Sequence, residues 1–157
     1  MQQRFDMNVL DFLNELDAAY PGLHTLPAAA LSGEFNMLTS KYGLVPQFIT
    51  ELWSRHNGIE YCVRSMPLLW LFPISPNPKD LWATNQSITE YTGLWRQSTD
   101  RCHDWVIGTW NDGRVLILSG GNVTVWDSNL KRKAGEPMSV EEWLDLVVRE
   151  GGSYMEG

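Results

Sequence analysis

Residues 105–127, WVIGTWNDGRVLILSGGNVTVWD, contain three short runs of β-branched and aromatic residues separated by two turn signals. The turn signals are Asn111-Asp112-Gly113 and Ser119-Gly120-Gly121-Asn122. Gly accepts the positive φ angles of tight hairpin turns without strain, and Asn and Asp accept them more readily than most residues do. The runs therefore predict an antiparallel meander of three strands at 105–110, 114–118 and 122–126.

The middle run, Val115–Leu118, is continuously apolar, which predicts that both of its faces are covered. Amphipathic patterns elsewhere predict helices that can cover it, and two more apolar runs predict two further strands. The predicted helices lie at 8–19, 28–42, 46–56 and 140–149, and the added strands lie at 59–63 and 68–73.

Three segments contain weaker signals. Residues 75–101 predict only helical turns at 80–82 and 87–91 with a loop at 93–99, residues 129–137 predict an exposed loop, and Gly151-Gly152 predicts the end of the last helix. We predict one α+β domain over residues 1–157, in which helices flank a mixed or antiparallel sheet of about five strands. Its core spans 26–150, and the helix at 8–19 packs on that core.

The chain is acidic, with 12 Lys and Arg against 19 Asp and Glu, a net charge of −7 and a pI near 4.8. This balance disfavours nucleic-acid binding, which depends on basic residues that neutralise phosphates. It suits either a basic protein partner or simple solubility. No apolar run approaches the roughly 20 residues that cross a bilayer, and the first residues lack a signal-peptide pattern. We therefore expect a cytoplasmic protein with no membrane partner. Cys62 and Cys102 form no CxxC motif, and we expect both thiols to be reduced.

No residue pattern predicts catalysis. Cys102-His103-Asp104 contains suitable residue types, but side chains that are neighbours in sequence project in different directions and rarely act together. The three histidines lack metal-ligand spacing, and the Gly-rich turn at 119–122 has no following helix to bind phosphate. We therefore expect no catalytic residue, no metal site, no cofactor and no enzyme activity.

Eight tryptophans are many for a chain of this length. Three alternatives account for so many tryptophans: burial in the core, a protein interface, or stacking on a small ligand such as a sugar or a nucleotide. Trp53, Trp70 and Trp143 fall on apolar faces, whereas Trp82, Trp95 and Trp110 are harder to place inside.

The order of several motifs resembles the SUKH superfamily. These motifs are LWSRHNG at 52–58, LLWLFP at 68–73, WVIG at 105–108 with Asp112-Gly113, and SVEEWL at 139–144. The resemblance covers residues 26–150, although 75–101 matches no family element and the Gly-rich run that many members have after the Asp-Gly step is missing.

The resemblance implies a bacterial immunity protein that binds a cognate toxin effector in interbacterial competition and occludes its functional surface. A basic nuclease-type toxin would suit the acidic charge. The alternative is a non-catalytic regulatory or scaffold protein that binds a cellular partner, and a carbohydrate- or nucleotide-binding module comes third. The predicted partner-binding residues, as aromatic anchors and rim charges, are Trp82, Glu90, Trp95, Asp100, Asp104 and Asp112. The residues assigned to folding are Trp53, Trp70, Trp105, Gly108, Val115, Ile117 and Trp143.

Overall fold

In a computed structural model, helical and strand periodicity gives five helices and seven strands within the described residues. The structure describes residues 7–19, 25–63, 66–75, 86–110, 113–128 and 130–156. The helices are α1 (Val9–Ala19), α2 (Ser32–Tyr42), α3 (Gln47–Trp53), α4 (Ile88–Thr99) and α5 (Val140–Glu156). The strands are β1 (Ile59–Val63), β2 (Met66–Leu71), β3 (Asp104–Trp110), β4 (Val115–Ser119), β5 (Asn122–Asp127), β6 (Arg132–Lys133) and β7 (Met138–Ser139).

The strands form one sheet in the order β1-β2-β3-β4-β5-β6, and β7 also pairs with β5. Every pair is antiparallel, and the predicted meander is β3–β4–β5. The α+β prediction is confirmed, with a somewhat higher strand count. The additions, β6 and β7, have two residues each and pair with opposite ends of β5. Strands this short depend on tertiary contacts, which the local sequence does not indicate. The segment 129–137, predicted to be an exposed loop, contains β6.

One face of the sheet packs against α3 and α5, on which α1 packs in turn, and we call it the helical face. Its contacts are aromatic. The Trp143 ring lies 6.3 Å from that of Trp110 and 6.5 Å from that of Phe48, which in turn lies 5.8 Å from Trp53. Trp110, which the sequence made hard to place inside, is only 3% exposed. It is a core residue because its position in β3 points it towards the helices.

The Asn57-Gly58 step joins the end of α3 to the sheet. The Asn57 backbone N–H donates to the Ala28 carbonyl at 2.8 Å, and its side-chain Oδ1 accepts from the Ile74 N–H at 2.9 Å. Gly58 has a φ of +95°, and a Cβ there would lie 2.5 Å from the Leu71 carbonyl oxygen. Both the backbone angle and the close approach therefore require glycine.

Helix α4 corrects the loop predicted at 93–99. Ser87 caps it by accepting from the Glu90 N–H at 3.1 Å, and Asp100 ends it in the left-handed region with a φ of 59°. Gly93 and several threonines lower its intrinsic helix propensity, so packing against the sheet must stabilise it.

Helix α5 also differs from the prediction, because it continues through Gly151-Gly152 to Glu156. Glycine permits a left-handed stop without enforcing one. No helix in the described ranges is both long and apolar enough to cross a membrane.

Candidate functional site

Six strands each contribute one side chain to a row across the sheet face that lies opposite the helical face. Cross-strand partners share a face, so the pairing register itself defines the row. From β1 to β6 it consists of Glu60, Trp70, Thr109, Val115, Trp126 and Lys133. The first five are half-buried and Lys133 is exposed. We call this set the cross-strand row and this side of the sheet the open face.

Helix α4 lies along the first half of β3, because β2 ends at Leu71 and leaves that half without a partner strand on that side. The helix supplies the missing hydrogen bonds. Thr92 Oγ1 accepts from the Val106 N–H at 3.0 Å, and Arg96 Nε donates to the Asp104 carbonyl at 2.9 Å.

Two half-buried rings of α4, one turn apart, extend the aromatic surface of the row. Tyr91 lies 4.9 Å from Phe72, and Trp95 meets Trp126 edge-on at 5.3 Å. The open face therefore has aromatic rings held by strands and by a helix, which fixes their positions before any ligand binds.

A groove of about 610 Å³ lies at the β1–β4 end of the row, and we call it the acidic groove. Its lining includes Glu60, Trp70, Gln86, Tyr91, Thr109 and Val115, and no described residue that lines it is basic. The Glu60 carboxylate accepts a weak hydrogen bond from Cys62 Sγ at 3.7 Å. Gln86 Oε1 is buried and has no hydrogen-bond partner among the described residues, while its Nε2 lies 3.5 Å from the Tyr91 hydroxyl.

A smaller cavity of about 200 Å³ lies at the other end of the row, and its lining includes Trp95 and Trp126. Asp104 lies at its base and is 2% exposed. Its Oδ2 accepts from Arg101 Nε at 2.5 Å and from Trp95 Nε1 at 3.0 Å. This pairing neutralises the buried charge, so the cavity has a mixed rather than an acidic lining.

The predicted partner-binding residues are only partly brought together. Trp95 is half-buried beside the cross-strand row, and Glu90 and Asp100 are exposed at the two ends of α4. Asp104 was expected to be a rim charge, and that expectation is wrong because the side chain is buried in the contacts above. Trp82 and Asp112 lie outside the described residues. Their binding roles, and those of Glu90, Trp95 and Asp100, stay predictions.

Sequence reasoning missed the central residues of the open face. Glu60, Tyr91 and Trp126 were not singled out, and Trp70 and Val115 were assigned to folding alone. Both are half-buried, so they contribute surface as well as packing. Trp53, Trp105, Ile117 and Trp143, also assigned to folding, are each at most 3% exposed.

Burial is the largest cause of the pKa shifts of three described side chains, Cys62, Tyr42 and Arg96. Burial, reinforced by Glu60, raises the pKa of the Cys62 thiol. Burial also raises the pKa of Tyr42, whose hydroxyl donates to the Thr89 carbonyl at 2.6 Å, and lowers the pKa of Arg96. Arg96 lies 4.9 Å from the centre of the Tyr42 ring and 4.8 Å from that of Trp105.

The tripeptide Cys102-His103-Asp104 does not converge on one point. Cys102 and His103 are exposed, whereas the Asp104 carboxylate is buried against Arg101 and Trp95. Within the described ranges, no cluster of three His, Cys, Asp or Glu side chains is placed to hold a metal ion.

No protein-family model, curated protein or solved structure matches the chain. The resemblance to the SUKH superfamily therefore stays a prediction, and the function must be argued from the open face.

Proposed function

We propose that this chain is a SUKH-like immunity protein that binds a toxin effector through the open face and occludes the toxin's functional surface. The observation that carries the proposal is the cross-strand row, where half-buried Trp70 and Trp126 lie on a rigid sheet. Tryptophan and tyrosine dominate the energetics of protein interfaces, since they bury a large area and lose little conformational freedom.

Two further features support a protein partner. The aromatic side chains Trp70, Tyr91, Trp95 and Trp126 lie on one face and belong to three separate elements, as in an interface core. The chain has a net charge of −7, which would speed encounter with a basic toxin and make the association rate fall with added salt. Such an inhibitor would act in the cytoplasm of the cell that it protects.

The test is co-expression of the full chain with the product of the adjacent reading frame, with growth rescue and a co-eluting complex as readouts. We expect rescue and a stable complex. The double variant Trp70→Ala/Trp126→Ala should lose both. The matched control is Leu10→Ala, which removes an apolar side chain that is 49% exposed on α1, in the helical layer.

Three results would change the proposal. A complex that survives the double variant would move the partner to another surface. A complex without any toxicity of the neighbouring product would favour a regulatory scaffold that uses the same face. Neither toxicity nor a complex, with the protein well folded, would contradict the immunity function.

A further inference from the structure

We infer that the acidic groove receives a cationic side chain of the partner, with arginine preferred over lysine. The inference rests on the proposed function and names the chemistry at one end of the open face.

The charge of the groove favours a cation. Among the described residues that line it, Glu60 is the acidic one, and none is a Lys, Arg or His that could neutralise it. Among the described residues, the carboxylate accepts a hydrogen bond only from the Cys62 thiol, at 3.7 Å. Thiols are weak donors, so the carboxylate keeps most of its capacity to accept.

The position of Glu60 is fixed before a ligand arrives. Its backbone pairs with Trp70 on one side, and on the other it exchanges two 3.0 Å hydrogen bonds with Thr25. Because the strand is held from both sides, binding a cation has only the side-chain torsions of Glu60 left to order.

A second acceptor lies in the same groove. Gln86 Oε1 is buried and has no donor among the described residues. Buried acceptors are normally paired, so this one indicates a site for a donor from outside the described residues. A guanidinium group has five N–H donors in one plane and can serve more than one acceptor at once.

The aromatic lining favours the same ligand. Trp70 lies directly opposite Glu60 in the register, and its ring meets Phe72 edge-on at 5.5 Å. Tyr91 adds a second half-buried ring. Aromatic rings attract cations, and a planar guanidinium stacks on them better than an ammonium group does.

Other occupants fit less well. An anion would be repelled by Glu60, and an apolar side chain would give neither Glu60 nor Gln86 a further donor. The volume of about 610 Å³ is larger than one side chain needs and leaves space for the adjoining main chain of the partner.

The first experiment titrates the full ¹⁵N-labelled chain with N-acetyl-argininamide and with its neutral isostere, N-acetyl-citrullinamide. The signal followed is the Trp70 indole N–H, assigned with Trp70→Phe. We expect a saturable shift with argininamide and an affinity at least about fivefold lower for the citrulline compound. Glu60→Gln should cause a similar loss for argininamide.

The matched control is Glu15→Gln, which removes the same charge from an exposed position on α1. It should bind argininamide like the unaltered chain. A urea midpoint within error of the unaltered chain would show that Glu60→Gln still folds. Equal affinity for both compounds, unchanged binding by Glu60→Gln, or no saturable shift would each overturn the inference.

Complex formation with the neighbouring product separates this inference from the proposed function. If the complex forms but Glu60→Gln binds as tightly as Glu15→Gln, the cationic occupant is wrong and the proposed function stands. If argininamide binds selectively but no complex forms, the proposed function fails and the preference of the groove for cations stands.

Discussion

The two faces of this sheet use tryptophan in different ways. On the helical face, Trp53, Trp110 and Trp143 are at most 3% exposed, and each contacts another aromatic ring of that layer. On the open face, Trp70 and Trp126 remain half-buried. Strand geometry explains the difference between Trp110 and the open-face tryptophans, since residues on the two faces of a sheet alternate along each strand. Trp53 and Trp143 are buried because they lie in α3 and α5. The tryptophan content alone therefore does not separate core from surface, whereas the position of each residue in its element does.

The largest expected difference between the faces concerns the free energy of unfolding. Trp53→Ala removes a fully buried ring and should destabilise the fold by about 3–5 kcal/mol. Trp126→Ala removes a half-buried ring whose main partner is Trp95, and it should cost only about 1–2 kcal/mol. Urea unfolding at neutral pH measures both values. Equal losses would show that the open face belongs to the core and would weaken its assignment as a binding surface.

Partner binding should reverse this ranking. Trp70→Ala should weaken the affinity for the toxin by about 2 kcal/mol, or roughly thirtyfold, because central aromatic residues contribute most at interfaces. The measurement is calorimetric titration of the purified partner. Leu10→Ala is the control, since its side chain is exposed on the other side of the sheet. A loss of affinity that merely follows the loss of folded protein would contradict a direct role for Trp70.

A smaller difference is expected within the helical face. Trp53 Nε1 donates to the Phe72 carbonyl at 2.8 Å, whereas Trp143 Nε1 is buried with no acceptor among the described residues. Trp53→Phe leaves that carbonyl unpaired, while Trp143→Phe removes an unsatisfied donor. Trp53→Phe should therefore be more destabilising than Trp143→Phe by about 1–2 kcal/mol. Thermal unfolding of the two variants measures it, and an inverted order would indicate a hidden partner for Trp143.

The strands could be predicted from the sequence because their signals are local. Part of the cross-strand row could also have been predicted. The two-residue turn Gly120-Gly121 pairs Ser119 with Asn122, and counting back along both strands pairs Val115 with Trp126. The pairing of β2 with β3 could not, because α4 and residues outside the described ranges separate the two strands in sequence.

Helix α4 and Asp104 were misjudged for one shared physical reason. The helix depends on bonds from Thr92 and Arg96 to the unpaired edge of β3, and no local pattern encodes them. Ser87 and Glu90 formed a capping pattern that could have marked its start. Asp104 looked like a surface charge, yet its partners Arg101 and Trp95 allow it to be buried. Tertiary contacts outweighed propensity at both sites.

The smallest expected effect concerns the β1 end of the open face, where Cys62 lies beside the acidic groove. Cys62 is 6% exposed, and burial together with the Glu60 carboxylate raises the pKa of its thiol. The thiolate is the reactive form, so at pH 8 a disulfide reagent should label exposed Cys102 quickly and Cys62 slowly.

In the Cys102→Ser variant, the remaining reaction belongs to Cys62. Because the pKa of Cys62 is raised, its labelling rate should level off at a higher pH than the rate of an ordinary thiol does. Adding Glu60→Gln should increase that rate a few-fold, because it removes the charge that opposes the thiolate, while Glu15→Gln should leave it unchanged. A Cys62 thiol that reacts as fast as Cys102 would show that the open face admits solvent at β1, which would leave the carboxylate of Glu60 too well hydrated to select a cation.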